Sequence, residues 1–163
     1  MRICGATVFV DYVSDFTNVA LMRDITLDET LLAKTSFKHL ANDGGVTIKS
    51  CRADNGRFAE KGFHSKVQES NQNITFCAVG IHHQNGIVER KIKELTLISR
   101  TLLLQTIRHR PNYTTTTMWP FTLKEATLGL NKLSIRSDGR SNEETFFGVF
   151  GDIIKPAMFH TLV

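Results

Sequence analysis

Two carboxylates stand out for the chemistry they could do. Asp54 lies in ADNG (Ala53 to Gly56), one residue past the β-branched run VTIKSC, and Glu89 lies in GIVERK, just after Gln84-Asn85. A strand over VTIKSC ends at Asp54, and a helix starting near Ile87 has Glu89 in its first turn. The two are 35 positions apart, 54 to 89, and a strand end and a helix start can meet at one rim of a sheet. Carboxylates held close cannot both stay ionised unless a cation bridges them. Oxygen donors without supporting His or Cys suit Mg²⁺ or Mn²⁺. Two such ions about 3.5–4 Å apart activate water or a 3′-hydroxyl and stabilise the leaving oxygen in phosphoryl transfer. Each acid also has a plain reading. Asp-Asn-Gly is good turn chemistry, and the helix dipole alone favours an acid in a first turn.

The elements that must position these residues can be read from periodicity and punctuation. Gly5 to Val13 and Thr17 to Arg23 form a hairpin around Ser14-Asp15. Asp28-Glu29 opens a helix with Leu31, Leu32, Phe37 and Leu40 on one face, and Gly44-Gly45 ends it. VTIKSC is the third strand, RFAEKGFHSKVQES a second helix interrupted by Gly62, and Asn73 to Val79 another strand. A long helix runs from about Ile87 to Thr106 with Val88, Ile92, Leu95 and Leu102 on one side. After the polar linker PNYTTTTMWP comes a helix over Phe121 to Leu133, and the segment SNEETFFGVFG docks back on the body. The order describes an α/β domain with a mixed sheet and a C-terminal helical extension.

Composition narrows the function classes. A chain of 163 residues can bury a self-sufficient core. No apolar run approaches the ~20 residues that span a bilayer, and the N-terminus has no signal-peptide pattern, so no membrane partner is expected. Cys4, Cys51 and Cys77 are scattered and odd in number, which favours a reducing, intracellular setting. A net charge of +4 is compatible with a nucleic-acid partner, and the basic residues gather at Arg90, Lys91, Lys93, Arg100, Arg108 and Arg110. A solvated helix face is the plain account of that run. His82 and His83 have no zinc-spaced companions and read as loop residues.

ADNGRF followed by HHQNGIVERKIKEL resembles the catalytic core of retroviral-type integrases, most of all those of copia-type retrotransposons. TVFVDYVSDFTNV is similar to the family's second-strand segment, and TTMWPFTLKEATLGLNKL and GRSNEETFFG to its post-core helix and following motif, so the resemblance covers nearly the whole chain. It implies an RNase H-like fold, a DDE active site in which Asp54 and Glu89 are metal ligands for Mg²⁺ or Mn²⁺, and DNA integration by polynucleotidyl transfer. Asp11 is a possible third carboxylate. Its context matches the family's second strand, where the acid is not catalytic, and its register alternates with Val8, Val10 and Tyr12. The chain is therefore expected to begin after the first catalytic aspartate, without the central strand of the sheet, and a catalytically inactive remnant that at most binds nucleic acid is the alternative. Lys93, one turn beyond Glu89, is implied to neutralise a DNA phosphate, or else to form an i,i+4 surface pair with Glu89. Arg90, Gln84 and Asn85 are implied DNA contacts, with a turn role open for the latter two. The implied partners are retroelement ends, target DNA and further copies of the chain, in the nucleus. Residues 1–108 would form the core, and 109–163 the linker, post-core helix and tail.

Overall fold

The computed structural model describes residues 3–53, 73–76 and 86–148. Two compact units emerge from the packing, Met1–Thr7 with Ala20–Glu89 and Val8–Val19 with Arg90–Val163. Strands β1 (Gly5–Val10) and β2 (Thr17–Met22) pair with each other. The Cys4 amide donates to the Met22 carbonyl and the Asp11 amide to the Phe16 carbonyl, which makes them an antiparallel hairpin. β1 stops at Val10 instead of continuing to Val13, because Asp11 begins a turn whose amides are bound by its own carboxylate.

In the first unit, helix α1 (Leu27–Asp43) is capped by Thr26, whose hydroxyl accepts from the Glu29 amide. Its buried residues are Thr30, Ala33 and Ala41, while Leu32 and Leu40 are exposed. Small side chains therefore fill the seam, and of the expected face only Leu31 and Phe37 are half-buried. Gly45 ends the helix with φ 79°, and the Val46 amide turns back to the Ala41 carbonyl. That bond removes Val46 from the following strand, and β3 is confined to Ser50–Ala53. β3 runs parallel to β4 (Asn73–Phe76), from Ser50 opposite Asn73 to Ala53 opposite Phe76. Parallel strands need a long crossover. The helix expected over RFAEKGFHSKVQES falls in that connection, outside the described residues.

Most of the second unit is helical. Helix α2 (Gly86–His109) is followed by a 3-10 turn (Thr116–Met118), α3 (Trp119–Leu133) and α4 (Asn142–Phe147). α3 starts two residues before the expected Phe121, since Pro120 fits a first turn where its missing N–H is not needed. The buried row of α2 is Lys91, Leu95, Ser99 and Thr106. Leu95 is core as expected, whereas Ile92 is 44% exposed. Polar small residues occupy this row because α3 approaches closely there, and the hydroxyls of Ser99 and Thr122 hydrogen-bond at 2.8 Å. Asn131 on α3 accepts from the Thr17 amide at 2.9 Å and donates to the Thr17 carbonyl at 2.7 Å, while Lys124 donates to the Val19 carbonyl. The docking of SNEETFFG is seen directly: Phe16 stacks on Phe146 with ring centroids 4.4 Å apart and meets Phe147 edge-on. α4 carries a full capping box between Ser141 and Glu144 and closes on Gly148 at φ 69°.

Candidate active site

The helix that carries Glu89 places it in its first turn, where the partial positive charge of the helix end favours a carboxylate. Glu89 is exposed, as are Arg90 and Lys93, and none of the three joins an ion pair among the described residues. The Glu89 carboxylate is thus available to a ligand, and Lys93 is not tied to it in a surface pair. Asp54 follows Ala53, the last residue of β3, and itself lies outside the described residues, together with Gln84, Asn85, His82 and His83. The carboxyl end of a parallel strand is the usual position for ligand-binding groups in α/β sheets. Among the described residues no three His, Cys, Asp or Glu side chains gather closely enough to hold a metal ion.

Asp11 is engaged within its own turn. Its Oδ2 accepts from the Val13 amide at 3.2 Å, the Ser14 amide at 2.8 Å and the Ser14 hydroxyl at 2.7 Å. The turn completes itself with Asp15 at φ 59°, a conformation that Asp tolerates better than most residues. On β3, burial pushes the Cys51 thiol above its ordinary pKa despite nearby Lys34, which makes it a weak nucleophile at neutral pH.

The residue that sequence reasoning missed is Lys91, grouped there with the surface basic run. Its side chain is only 8% exposed, and its ammonium donates to Asp15 at 2.6 Å and to Glu94 at 2.9 Å. Burial lowers its pKa, but the hydrogen bonds and charges of Asp15 and Glu94 outweigh burial and leave it above the ordinary lysine value. One signal was in the sequence: Lys91 is four residues before Leu95, the best-buried position of the helix, and so shares its face.

No protein-family model matches the chain. No curated protein matches it either. Solved structures do. The chain is similar to the HTLV-2 integrase catalytic core domain in complex with magnesium, at 21% identity over 85% of this chain and 82% of that one, with a TM-score of 0.61. The catalytic core domain of BIV integrase matches at 18% identity over 86% and 84%, with a TM-score of 0.62. The simian T-cell lymphotropic virus intasome in complex with a PP2A regulatory subunit matches at 19% identity over 93% of this chain and 49% of that one, with a TM-score of 0.64. The fold is therefore the mixed α/β, RNase H-like fold of integrase catalytic cores.

Proposed function

We propose that this chain is an integrase catalytic core of the copia retrotransposon type, acting on DNA by polynucleotidyl transfer. One observation supports it most. Glu89, without an ion-pair partner among the described residues, stands in the first turn of the helix after β4, and the parallel partner of β4 leads straight into Asp54, within a fold shared with integrase cores. In this reading Asp54 and Glu89 bind Mg²⁺ or Mn²⁺, which supplies charge neutralisation and an activated oxygen nucleophile when bound. Hard carboxylate oxygens are the right donors for such ions. Arg90 and Lys93 hold phosphates beside Glu89, and Gln84 and Asn85 reach the DNA from the preceding loop. Asp11 serves the hairpin turn. The magnesium bound by the HTLV-2 core, and the dimeric and trimeric forms in which that core is known, support a divalent ion and self-association here. Work on chromosomal DNA would place the protein in the nucleus.

The test is a strand-transfer and nicking assay with purified chain, labelled duplex ends and Mn²⁺ or Mg²⁺, accompanied by calorimetric titration of Mn²⁺. Activity that disappears in Asp54→Asn and in Glu89→Gln, with loss of Mn²⁺ binding, and survives in Asp11→Asn supports the assignment. A folded chain without metal-dependent activity would instead be an inactive remnant. Activity lost in Asp11→Asn as fully as in Glu89→Gln would return Asp11 to the site.

A further inference from the structure

We propose that the outward row of α2 is a track for a nucleic-acid backbone that runs well past Glu89, with Arg100 and Arg108 as its distal phosphate contacts. The identity of the polymer rests on the function proposed above; the track itself rests on the helix. Arg90, Lys93, Arg100 and Arg108 are all exposed and recur at helical spacing on the side opposite the buried row of Lys91, Leu95 and Ser99. From Arg90 to Arg108 the row covers about 27 Å at 1.5 Å per residue. None of the four cations joins an ion pair among the described residues.

A surface helix normally neutralises such a row with acids one turn away. Glu94 is placed to do so for Arg90, at i,i+4, but it is bound by the buried Lys91 instead, and Glu89, four residues before Lys93, makes no ion pair with it. The inner ion pair thus leaves the outer row with its positive charge. Between the cations stand Leu97, 67% exposed, and Leu104, 55% exposed. A second copy of the chain is a poor occupant, since the row laid on itself would bring like charges together. A polyanion fits: about 27 Å corresponds to roughly eight nucleotides of one strand at 3.4 Å each, with leucines against sugar faces between phosphates. Beside the distal end, a surface hollow of about 690 Å³ opens against Thr101, Leu104, Gln105, Arg108 and His109.

The experiment measures binding of the full chain to a 30-base-pair duplex by fluorescence anisotropy at several salt concentrations. The double variant Arg100→Ala/Arg108→Ala should bind more weakly and flatten the dependence of log K on log salt by about 2, near one unit for each phosphate that is no longer neutralised. Arg23→Ala, an exposed change elsewhere, should leave the slope alone. An unchanged slope in the double variant, with a reduced slope in Arg90→Ala/Lys93→Ala, overturns the distal track and leaves the proposed function standing. No binding of wild-type chain to duplex or single strand, with or without Mn²⁺, overturns both. Displacement of the duplex from the wild type, but not from the double variant, by equimolar poly-glutamate would assign the row to an acidic polypeptide and also overturn the proposal.

Discussion

Lys91 and Asp15 lie 76 residues apart in the chain and meet as a 2.6 Å ion pair that joins α2 to the tip of the β1–β2 hairpin. The ammonium end is buried while the carboxylate end keeps contact with water, at 8% and 42% exposure. That asymmetry matters energetically. The cation has given up its hydration and depends on its two acids, whereas Asp15 and Glu94 can each recover solvent if the lysine is lost. The same hairpin tip offers the Asp15 carbonyl to Asn142 of α4, so one turn organises two helices.

Removing the cation should therefore cost less than breaking a fully buried pair. Lys91→Ala is expected to destabilise the protein by about 1–3 kcal/mol. Asp15→Asn keeps a residue that tolerates positive φ and loses only the charge, so it should cost less than Asp15→Ala. Urea denaturation of the three variants checks the order. Equal losses for Asn and Ala at position 15 would show that the ion pair, not the turn, carries the effect.

The sign of the pH dependence follows from the raised pKa of Lys91. Its contribution is fully present below the unfolded-state lysine value of about 10.4 and is lost as pH rises through the higher folded-state value. Burial lowers the pKa of Lys124, and of Lys34, so these act in the opposite sense. Comparing wild type with Lys91→Met cancels those other lysines. The stability difference should be flat from pH 7 to about 10 and shrink above it; a difference that shrinks already near pH 8 would contradict the assignment.

Asn131 satisfies both backbone groups of Thr17, a residue that is almost fully buried. Asn131→Ala leaves an amide and a carbonyl without partners and should cost about 2–4 kcal/mol. Asn131→Asp keeps the acceptor for the amide but sets a negative charge against the carbonyl, and should not rescue the loss. Thermal and urea unfolding read both variants, and hydrogen exchange at the Thr17 amide reads the bond itself.

Asp11 provides a stability test separate from catalysis. Asp11→Ala removes three hydrogen bonds from the hairpin turn and should destabilise by about 1–2 kcal/mol, while Asp11→Asn retains an acceptor and should cost less. Circular dichroism melts of the two variants give the comparison.

Much of the fold was legible because punctuation and period agreed. Gly44-Gly45 ended α1, the β-branched runs marked the hairpin, and SNEETFFG docked as expected, though its helix and the Ser141–Glu144 capping box were not foreseen. The packed faces were less legible. Hydropathy pointed to Leu32, Leu40 and Ile92, yet the buried positions of α1 and α2 include Thr30, Ala33, Ser99 and Thr106, and on α2 the hydroxyl of Ser99 meets that of Thr122 on α3. Lys91 was hidden for a related reason. A lysine is read as surface unless its acids are known to face it, and Asp15 comes from a distant part of the chain. The place of Glu89 in the first turn of a helix was legible, while the lack of an ion pair to Lys93 depended on which neighbours each side chain meets.

The hydrogen bonds from α3 to β2 have a consequence for self-association. Thr17 and Val19 alternate along the strand, and the backbone groups that Asn131 and Lys124 occupy are those a neighbouring strand would otherwise use. An incoming strand finds an amide and an ammonium already seated where its own peptide groups would go. The Thr17–Val19 end of the β2 border is thereby shielded from edge-to-edge growth, a protection that a strand of this kind would lose if α3 came away.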